Sequence, residues 1–329
     1  MIKSELVIVR DSRNNPSIMR RYEKCLHREV DPSVTGDAVH PMFIIRGKEV
    51  DAIYLPEYLS SVFDGIPYSL PMQTPATSMD FDTVVGCHRE KGDGWHCMTA
   101  VEWKFLEDLA KLRKSAGAEP LRGNTSFGCS HEAPYECGIH PNGRNTITLT
   151  GSGPESWFLL DNKEGIADFV GNVWKVLAGI RLVKGRYQYI KDNDAAAPDC
   201  DLSRNSKEWA DVLIDGKPLK ASVDGGEITI LATDEETERG YSGDRWENVQ
   251  IDLDPIPDFV KALGIIPAEH EGNKAYFFVD TEEDECVPIR GASYYDTSNS
   301  GPSALLLGGL RSNVYGSVGF FSAYYEADC

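Results

Sequence analysis

The sequence has no long apolar run. No stretch reaches the roughly 18 to 20 uninterrupted apolar residues that a membrane-spanning helix needs. The start, MIKSELVIVRDSR, also lacks the apolar core of an export signal. We therefore expect neither secretion through a signal peptide nor membrane insertion.

Cysteines and basic residues are also scarce. Eight cysteines in 329 residues are too few for a disulfide scaffold, and without an export signal most are expected to be free thiols. Lys and Arg total 33 against 52 Asp and Glu, which gives a formal net charge of −19. So acidic a chain is unsuited to nucleic acid or anionic lipid as its principal partner. Its 41% apolar content still allows a large core.

Changes of composition divide the chain into segments. Residues 1–38 form a short segment of mixed, mostly polar composition. This segment is predicted to be an N-terminal arm packed on a domain that spans 39–329. Within that domain, residues at about 192–285 carry the acidic excess in loop-like pieces and are interpreted as an insertion. A variable binding region is predicted at about 290–325.

Local signals predict a few regular elements. Glycine turns at Arg46-Gly47 and Lys184-Gly185 predict two hairpins. Thr99 and Glu102 form a capping box ahead of an apolar stripe, which predicts a helix. A second helix is predicted over Pro257–Leu263, closed by the glycine that follows it.

The segment 290–325 differs abruptly from what precedes it. From Gly291 to Tyr325 there is no Lys, Glu, Gln, Met or Trp. Every codon for those residues has a purine in its third position. In contrast, Tyr, Asp, Ser, Asn, Gly, Leu, Thr and Phe can all be encoded with a pyrimidine in the third position. A segment diversified by substitution of the adenines of AAC or AAT codons would have this bias. The alternative is an ordinary polar loop followed by a buried strand, and composition alone does not decide between them.

The same segment has the composition of an antibody paratope. There, tyrosine rings give rigid contact area, while Ser, Gly and Asn supply adaptable polar contacts. Tyr294, Tyr295 and Tyr315 fit that role. A second set is predicted to be scaffold, because glycines suit turns, a ring suits the core and arginines can bridge loops. This set is Arg290, Gly291, Arg311, Ser312, Gly319 and Phe320.

Several motifs, in order, resemble those of a known family. GIADFVGNVWKV at 165–176 and RGASYY…LRSNVYGSVGFF at 290–321 are similar to signatures of the formylglycine-generating-enzyme branch of the C-type lectin fold. Supporting segments are HPMFIIRGKEVDAIYLPEYL at 40–59, PATSMDFD at 75–82, GDGWHCMTAVEW at 92–103, RGNTSFG at 122–128 and TGSGPESW at 150–157. Together they most resemble the variable proteins of diversity-generating retroelements, which are often displayed on phage or virus tail fibres.

The resemblance implies an α+β fold of the C-type lectin-like, formylglycine-generating-enzyme type, with about two to three helices, short strands and much irregular structure. It also implies a ligand-binding or receptor-binding protein whose adenine-encoded positions form a solvent-facing surface. Carried onto this chain, the displayed positions are Tyr294, Tyr295, Asp296, Ser298, Asn299, Leu306, Gly308, Gly309, Tyr315 and Ser317. Tyr294 also resembles an aromatic scaffold position of the family.

The alternative function is a metal-dependent or oxidase enzyme of the same fold. Relatives that oxidise cysteine use cysteines after the RGGS-like signature, where this chain reads RGASYYDTSNSGPSA with no cysteine. Sulfoxide-synthase relatives need a histidine-based iron site, and no histidine follows His270. The chain also departs from the pattern at Lys175, Ala292 and Phe321. We predict a protein that is not an enzyme, with no catalytic residues and no cofactor.

Other clusters carry metal-ligating residue types. One has zinc donors at irregular spacing, and a turn-rich surface with free thiols is its favoured interpretation: Cys129, His131, Cys137 and His140. A second is predicted to pack in the core: Cys87, His88, His96 and Cys97. The acidic run 280–285 lacks the spacing of a calcium loop and is predicted to be a solvated loop. No metal site is predicted.

Partners and location follow from the resemblance. The expected partner is a protein or glycan receptor on a target-cell surface, with no nucleic acid and no membrane insertion. A homo-trimer is the oligomer that the resemblance suggests. The expected location is the virion, at the tail-fibre tip, or the host cytoplasm during assembly. A structural capsid or tail component with a fixed partner is a third interpretation.

Overall fold

The computed structural model describes residues 2–115, 123–126, 134–138, 142–159, 165–267 and 270–327. Over these residues the chain forms short strands joined by long irregular segments, together with three α-helices. The helices are α1 (Phe81–Lys91), α2 (Ala100–Ser115) and α3 (Asp258–Leu263). The part of the predicted fold class that these elements test, an α+β fold with few helices and short strands, is confirmed.

The strands fall into three groups along the chain. The first group is β1 (Ser4–Arg10), β2 (Pro16–Glu23), β3 (Ile44–Ile45), β4 (Lys48–Glu49), β5 (Ala52–Pro56), β6 (Ser60–Phe63), β7 (Ile66–Ser69) and β8 (Trp95–Cys97). The middle group is β9 (Trp174–Val176), β10 (Ile180–Val183), β11 (Arg186–Tyr189), β12 (Ala210–Asp211), β13 (Leu213–Ile214), β14 (Lys217–Asp224) and β15 (Glu227–Ala232). The last group is β16 (Tyr241–Arg245), β17 (Gln250–Asp252), β18 (Tyr276–Asp280), β19 (Cys286–Arg290), β20 (Leu305–Leu310), β21 (Val318–Phe320) and β22 (Ser322–Tyr324).

A five-stranded antiparallel sheet joins strands from both ends of the described chain. Its order is β1-β2-β5-β22-β8. Tyr324 of β22 pairs with Tyr54 of β5, and Ser322 pairs with Cys97 of β8. Residues 1–38 therefore contribute a hairpin to the same sheet that holds β22.

A larger mixed sheet carries the region 290–325. Its main path is β16-β18-β20-β19-β10-β11-β14-β15-β17, and β9 pairs with both β19 and β21. Strand β19 ends at Arg290, and β20 lies between β18 and β19. The predicted variable region is thus built from the centre of this sheet and from the loops beside it.

The local elements predicted from turn and cap signals are confirmed. The hairpins β3–β4 and β10–β11 turn at Arg46-Gly47 and Lys184-Gly185, with φ of 52° and 71° in the first turn and 50° and 80° in the second. At the start of α2, the Thr99 N–H donates to Oε2 of Glu102 at 2.9 Å, and the Glu102 N–H donates to Oγ1 of Thr99 at 3.4 Å. Helix α3 ends at Gly264, which is left-handed.

The structure differs from the sequence analysis in two places. The segment 192–285 is not loop-like throughout, because β12 to β18 lie within it and most of them belong to the large sheet. Helix α1 had no counterpart in the sequence analysis. Asp80 caps it by accepting a hydrogen bond from the Thr83 N–H at 2.7 Å.

Candidate ligand-binding face

The residues Gly171, Asn172, Val173 and Trp174 form a buried turn and strand start, which we call the GNVW frame. The Lys175 ammonium, which directly follows it, donates to the carbonyl oxygens of Phe169 at 3.2 Å and Gly171 at 2.6 Å. The Asn172 amide donates to the Thr148 carbonyl and accepts from the Thr148 N–H, both at 3.0 Å. Because these polar groups are paired inside the protein, the backbone of the frame is firmly fixed.

Two loops of the predicted variable region are bonded to this frame. The Tyr294 N–H donates to the Asn172 carbonyl at 3.0 Å, and the Trp174 N–H donates to the Ser317 carbonyl at 2.8 Å. The loops that carry Tyr294–Asn299 and Tyr315–Ser317 therefore lie side by side on one support.

The start of the region is held by buried contacts. Arg290 is 2% exposed, and its guanidinium pairs with Glu107 at 3.1 Å and donates to the Gly264 carbonyl. Gly291 has φ of 85°, and a β-carbon there would lie 2.7 Å from both the Phe169 carbonyl oxygen and the Trp103 ring. Only glycine fits this position without a shift of the neighbouring backbone. The scaffold role predicted for these two residues is confirmed.

At the end of the region, the predicted scaffold residues are also held by buried contacts, except for one. Gly319 and Phe320 are buried, and a β-carbon on Gly319 would lie 2.6 Å from the Ala76 carbonyl oxygen. Arg311 forms hydrogen bonds to several segments of the chain. Ser312, in contrast, is exposed, so burial does not support the scaffold role predicted for it. It lies in the turn after β20, where the side chain faces solvent.

Arg311 joins three parts of the chain. Its Nε and one terminal nitrogen donate to the two carboxylate oxygens of Glu285 at 2.9 and 3.0 Å. The other terminal nitrogen donates to Asp82 at 2.7 Å, and the Leu202 carbonyl accepts a further bond at 2.9 Å. Glu285 also accepts from Arg181 at 2.7 Å, and the two guanidinium groups keep the pKa of its carboxyl below the usual range.

The nominated display positions differ in exposure. Tyr295 is 45% exposed, Tyr315 is 47% exposed, and Ser298 is also exposed. The other nominated positions are half-buried: Tyr294, Asp296, Asn299, Leu306, Gly308, Gly309 and Ser317. The exposed members supply two tyrosine rings and a hydroxyl. These are the groups that suit a recognition surface.

Asp296 is the most constrained of these positions. Its Oδ2 accepts from both the N–H and the hydroxyl of Ser293, each at 2.7 Å. Burial raises the pKa of the Asp296 carboxyl. Tyr294 and Tyr295 contact each other edge to face, with ring centroids 5.1 Å apart. This loop is therefore ordered by its own side chains as well as by the GNVW frame.

Sequence reasoning missed a neighbouring set of aromatic residues. In β18, Tyr276 and Phe278 are half-buried and share a face because they alternate along the strand, and Phe278 pairs with Leu306 of β20. On the flanking strand β16, Tyr241 is 67% exposed. The signal was the alternation in AYFFVD at 275–280, which had been included in the loop-like insertion.

The cysteine and histidine clusters have different outcomes. Cys129, His131 and His140 lie outside the described residues. Cys137 is exposed, and its thiol donates to the Ile147 carbonyl at 3.4 Å. The second cluster is buried, as predicted: Cys87, His88, His96 and Cys97. Trp157 and Trp174 are also buried.

The acidic run 280–285 is only partly a solvated loop. Glu282 and Asp284 are exposed, as predicted. Asp284 pairs with Lys184 and Arg204, both at 3.1 Å, and these contacts lower the pKa of its carboxyl. Glu285 instead is buried in the ion-pair network of Arg311.

Comparisons with known proteins find similar structures at low identity. No protein-family model and no curated protein matches the chain. Among solved structures, the chain is similar to PvdO from Pseudomonas aeruginosa, with 13% identity, 97% of both chains covered and a TM-score of 0.39. It is also similar to the U1 and I1 variants of the Major Tropism Determinant, with identities of 10% and 11% and TM-scores of 0.34 and 0.35. These alignments cover 98% of this chain and 72% of each variant.

In the part of the chain that the structure describes, no helix is both long and apolar enough to cross a bilayer.

Proposed function

We propose that this chain is a receptor-binding protein of the diversity-generating-retroelement type, which recognises a target through residues displayed between 294 and 317. The observation that carries the proposal is that residues 290–325 divide into a buried set and a set that faces solvent. Arg290, Gly291, Gly319 and Phe320 are buried, while tyrosine and serine side chains between them face solvent. This division matches what the sequence resemblance implies for scaffold and variable positions.

The physical case for recognition rests on rigidity. Both display loops are bonded to the buried GNVW frame, through Asn172 and Trp174. A preorganised surface loses little conformational entropy on binding, and tyrosine rings add contact area with few torsions to fix. Replacing displayed side chains on such a support changes the target without rebuilding the fold.

Three buried thiols of the described residues favour binding over cysteine-oxidation chemistry. A reactive cysteine needs a lowered thiol pKa and access to solvent. Burial instead raises the pKa of Cys87 and of Cys286 to about 12, and that of Cys97 well above its ordinary value. These three thiols therefore do not suit oxidation chemistry, which supports the proposal that the protein is a binding protein.

The partner and location that we propose follow the sequence resemblance. The partner is a protein or glycan receptor on a target-cell surface, and the location is a virion tail-fibre tip. The homo-trimer is a prediction that size-exclusion chromatography with light scattering would test.

The coding DNA gives a direct test of diversification. The nominated codons should end in C or T, and a nearby, nearly identical repeat should carry adenines wherever the two copies differ. Purine-ending codons at Leu306, Gly308 and Gly309, or differences scattered over non-adenine positions, would contradict the proposal.

Binding to whole cells tests the recognition face. We expect Tyr295→Ala with Tyr315→Ala to weaken binding of the purified protein to its target cells by at least about tenfold, since interface tyrosines commonly contribute more than about 1.4 kcal/mol. Phe63→Ala is the matched control. Phe63 is 49% exposed at the end of β6, outside the variable region. Equal loss in the control, or none in the double variant, would argue against this face.

A further inference from the structure

A cluster of three buried side chains, His27, His40 and Asp108, is not accounted for by the recognition face. His27 lies just after β2, His40 directly precedes a short turn of 3-10 helix, and Asp108 lies on α2. All three residues are buried, with exposures of 4%, 0% and 1%. Their potential ligand atoms all lie within 4.8 Å of one another.

Each of these three residues has a buried side-chain atom without a hydrogen-bond partner. Nε2 of His27, Nε2 of His40 and Oδ2 of Asp108 are each buried without one. A buried polar atom left unpaired costs roughly 1 to 3 kcal/mol, so native proteins seldom keep one without a reason. Three residues that each carry such an atom, from three separate segments, come together here.

The charge states suit ligation of a cation. Burial lowers the pKa of His27, and that of His40 further, so both imidazoles are neutral near pH 7 and each has one nitrogen lone pair. Burial raises the pKa of the Asp108 carboxyl to about 7, which a bound cation would reverse. Lys104 pairs with the other carboxylate oxygen of Asp108, so Oδ2 remains available.

We propose that His27, His40 and Asp108 bind one divalent transition-metal ion of the zinc class. Imidazole nitrogen and carboxylate oxygen are donors that zinc accepts at roughly 2.0 to 2.2 Å, which places tetrahedral ligands about 3.4 Å apart. The present separations of up to 4.8 Å would therefore close by at most about 1.4 Å on binding.

Binding requires one local rearrangement. The Met42 N–H donates to Nδ1 of His40 at 3.2 Å, which places the proton of the neutral ring on Nε2. Ligation through Nε2 moves that proton to Nδ1, so the bond to Met42 is given up. A further buried oxygen without a partner, Oδ2 of Asp31, belongs to a carboxylate whose charge raises the pKa of Asp108, and it is a candidate additional donor.

The burial of the site favours a structural role for the ion. Catalytic zinc keeps an open coordination position for water or substrate, whereas a closed site contributes to folding. His27 belongs to the N-terminal segment and Asp108 to α2, so the ion would fasten residues 1–38 to the rest of the domain. Chelation should then release this segment before the core unfolds.

The test is the metal content of the full-length protein, purified without chelator and then incubated with zinc. We expect one ion per chain by elemental analysis, and a lower Tm with faster proteolysis near residues 24–38 after chelation. His27→Gln and Asp108→Asn should lose the ion, while His270→Gln, outside the cluster, should retain it. Protein that holds no zinc after incubation, or a His27→Gln variant that holds it fully, overturns the proposal.

A measurement on the unchanged protein covers the case in which the variants do not fold. Cobalt(II) loaded in place of zinc should give a spectrum of nitrogen and oxygen ligation without a thiolate charge-transfer band. A thiolate band, or loss of the metal in Cys137→Ser, would place the ion at the cysteines and overturn the assignment.

Discussion

Gly308 lies directly against the ring of Phe278. A β-carbon on the glycine would stand 2.3 Å from Cε1 of that ring. On the other side of Phe278, a β-carbon on Gly243 would lie 2.8 Å from Cδ2. The ring thus lies across β18 and covers a glycine on each flanking strand. Two neighbouring glycines of the predicted variable region are therefore not equivalent, since the nearest atom to a β-carbon on Gly309 is the Val287 carbonyl oxygen at 3.9 Å.

We expect Gly308→Ser to lower the free energy of unfolding by about 1 to 3 kcal/mol, because the Phe278 ring must move to admit the side chain. Gly309→Ser should change it by less than about 0.5 kcal/mol. Urea unfolding of the two variants makes the comparison. In the double variant Gly308→Ser with Phe278→Leu, the cost of the serine should fall. Equal stability of the two single variants would mean that the Phe278 ring moves aside without a measurable cost in the free energy of unfolding.

Local chemistry made parts of the fold predictable. The turns at Arg46-Gly47 and Lys184-Gly185 need positive φ at both central residues, and few other turn types join strands so closely. The capping box of Thr99 and Glu102 likewise identifies a helix start from two side chains alone. Such signals depend on residues close together in the chain, so one sequence is enough to find them.

Other parts depended on contacts that one sequence does not reveal. The strands β14 and β15 form a hairpin around Gly225-Gly226, yet the charges nearby favoured a loop. Helix α1 contains β-branched residues and Gly86, so its propensity is weak and packing against β7 and β8 stabilises it. The candidate site likewise has features that one sequence reveals and features that depend on contacts between strands. Scaffold glycines could be identified by type, but the platform of Tyr276 and Phe278 arises from pairing across strands.

Arg311→Lys tests the bridge on which the end of the variable region depends. A lysine cannot form the two parallel bonds to Glu285 while also reaching Asp82 and the Leu202 carbonyl. We expect a loss of about 2 to 3 kcal/mol in the free energy of unfolding, because Glu285 would be left buried and only partly paired. Arg239→Lys, at an exposed pair with Glu236, should cost less than about 0.5 kcal/mol. Similar losses in both would show that the fork geometry is unimportant.

His88 should contribute to acid sensitivity. Its Nδ1 donates to the Val84 carbonyl at 2.7 Å, its Nε2 accepts from the Ser322 hydroxyl at 2.8 Å, and burial lowers its pKa to about 3. Between about pH 6.5 and pH 3 the unfolded chain binds a proton here that the folded chain does not, so stability falls as the pH is lowered.

In His88→Gln this contribution is absent. Between pH 4 and pH 6, the slope of unfolding free energy against pH should be smaller than in the unchanged protein by up to about 1.4 kcal/mol per pH unit. Urea unfolding at several pH values gives both slopes. Parallel slopes would mean that His88 is protonated in the folded protein as readily as in the unfolded chain.

Asp296 distinguishes display from support within the variable loop. Its Oδ2 accepts two bonds from Ser293, while burial raises the pKa of the carboxyl, so the acceptor matters more than the charge. We expect Asp296→Asn to keep the loop and to change the free energy of unfolding by less than about 1 kcal/mol, whereas Asp296→Ala should cost about 1 to 2 kcal/mol. Thermal unfolding and proteolysis of the loop measure both. Asparagine is also the residue that an unmutated AAC codon encodes. Diversification would therefore begin from a side chain that already holds the loop, and a strongly destabilised Asn variant would contradict that order of events.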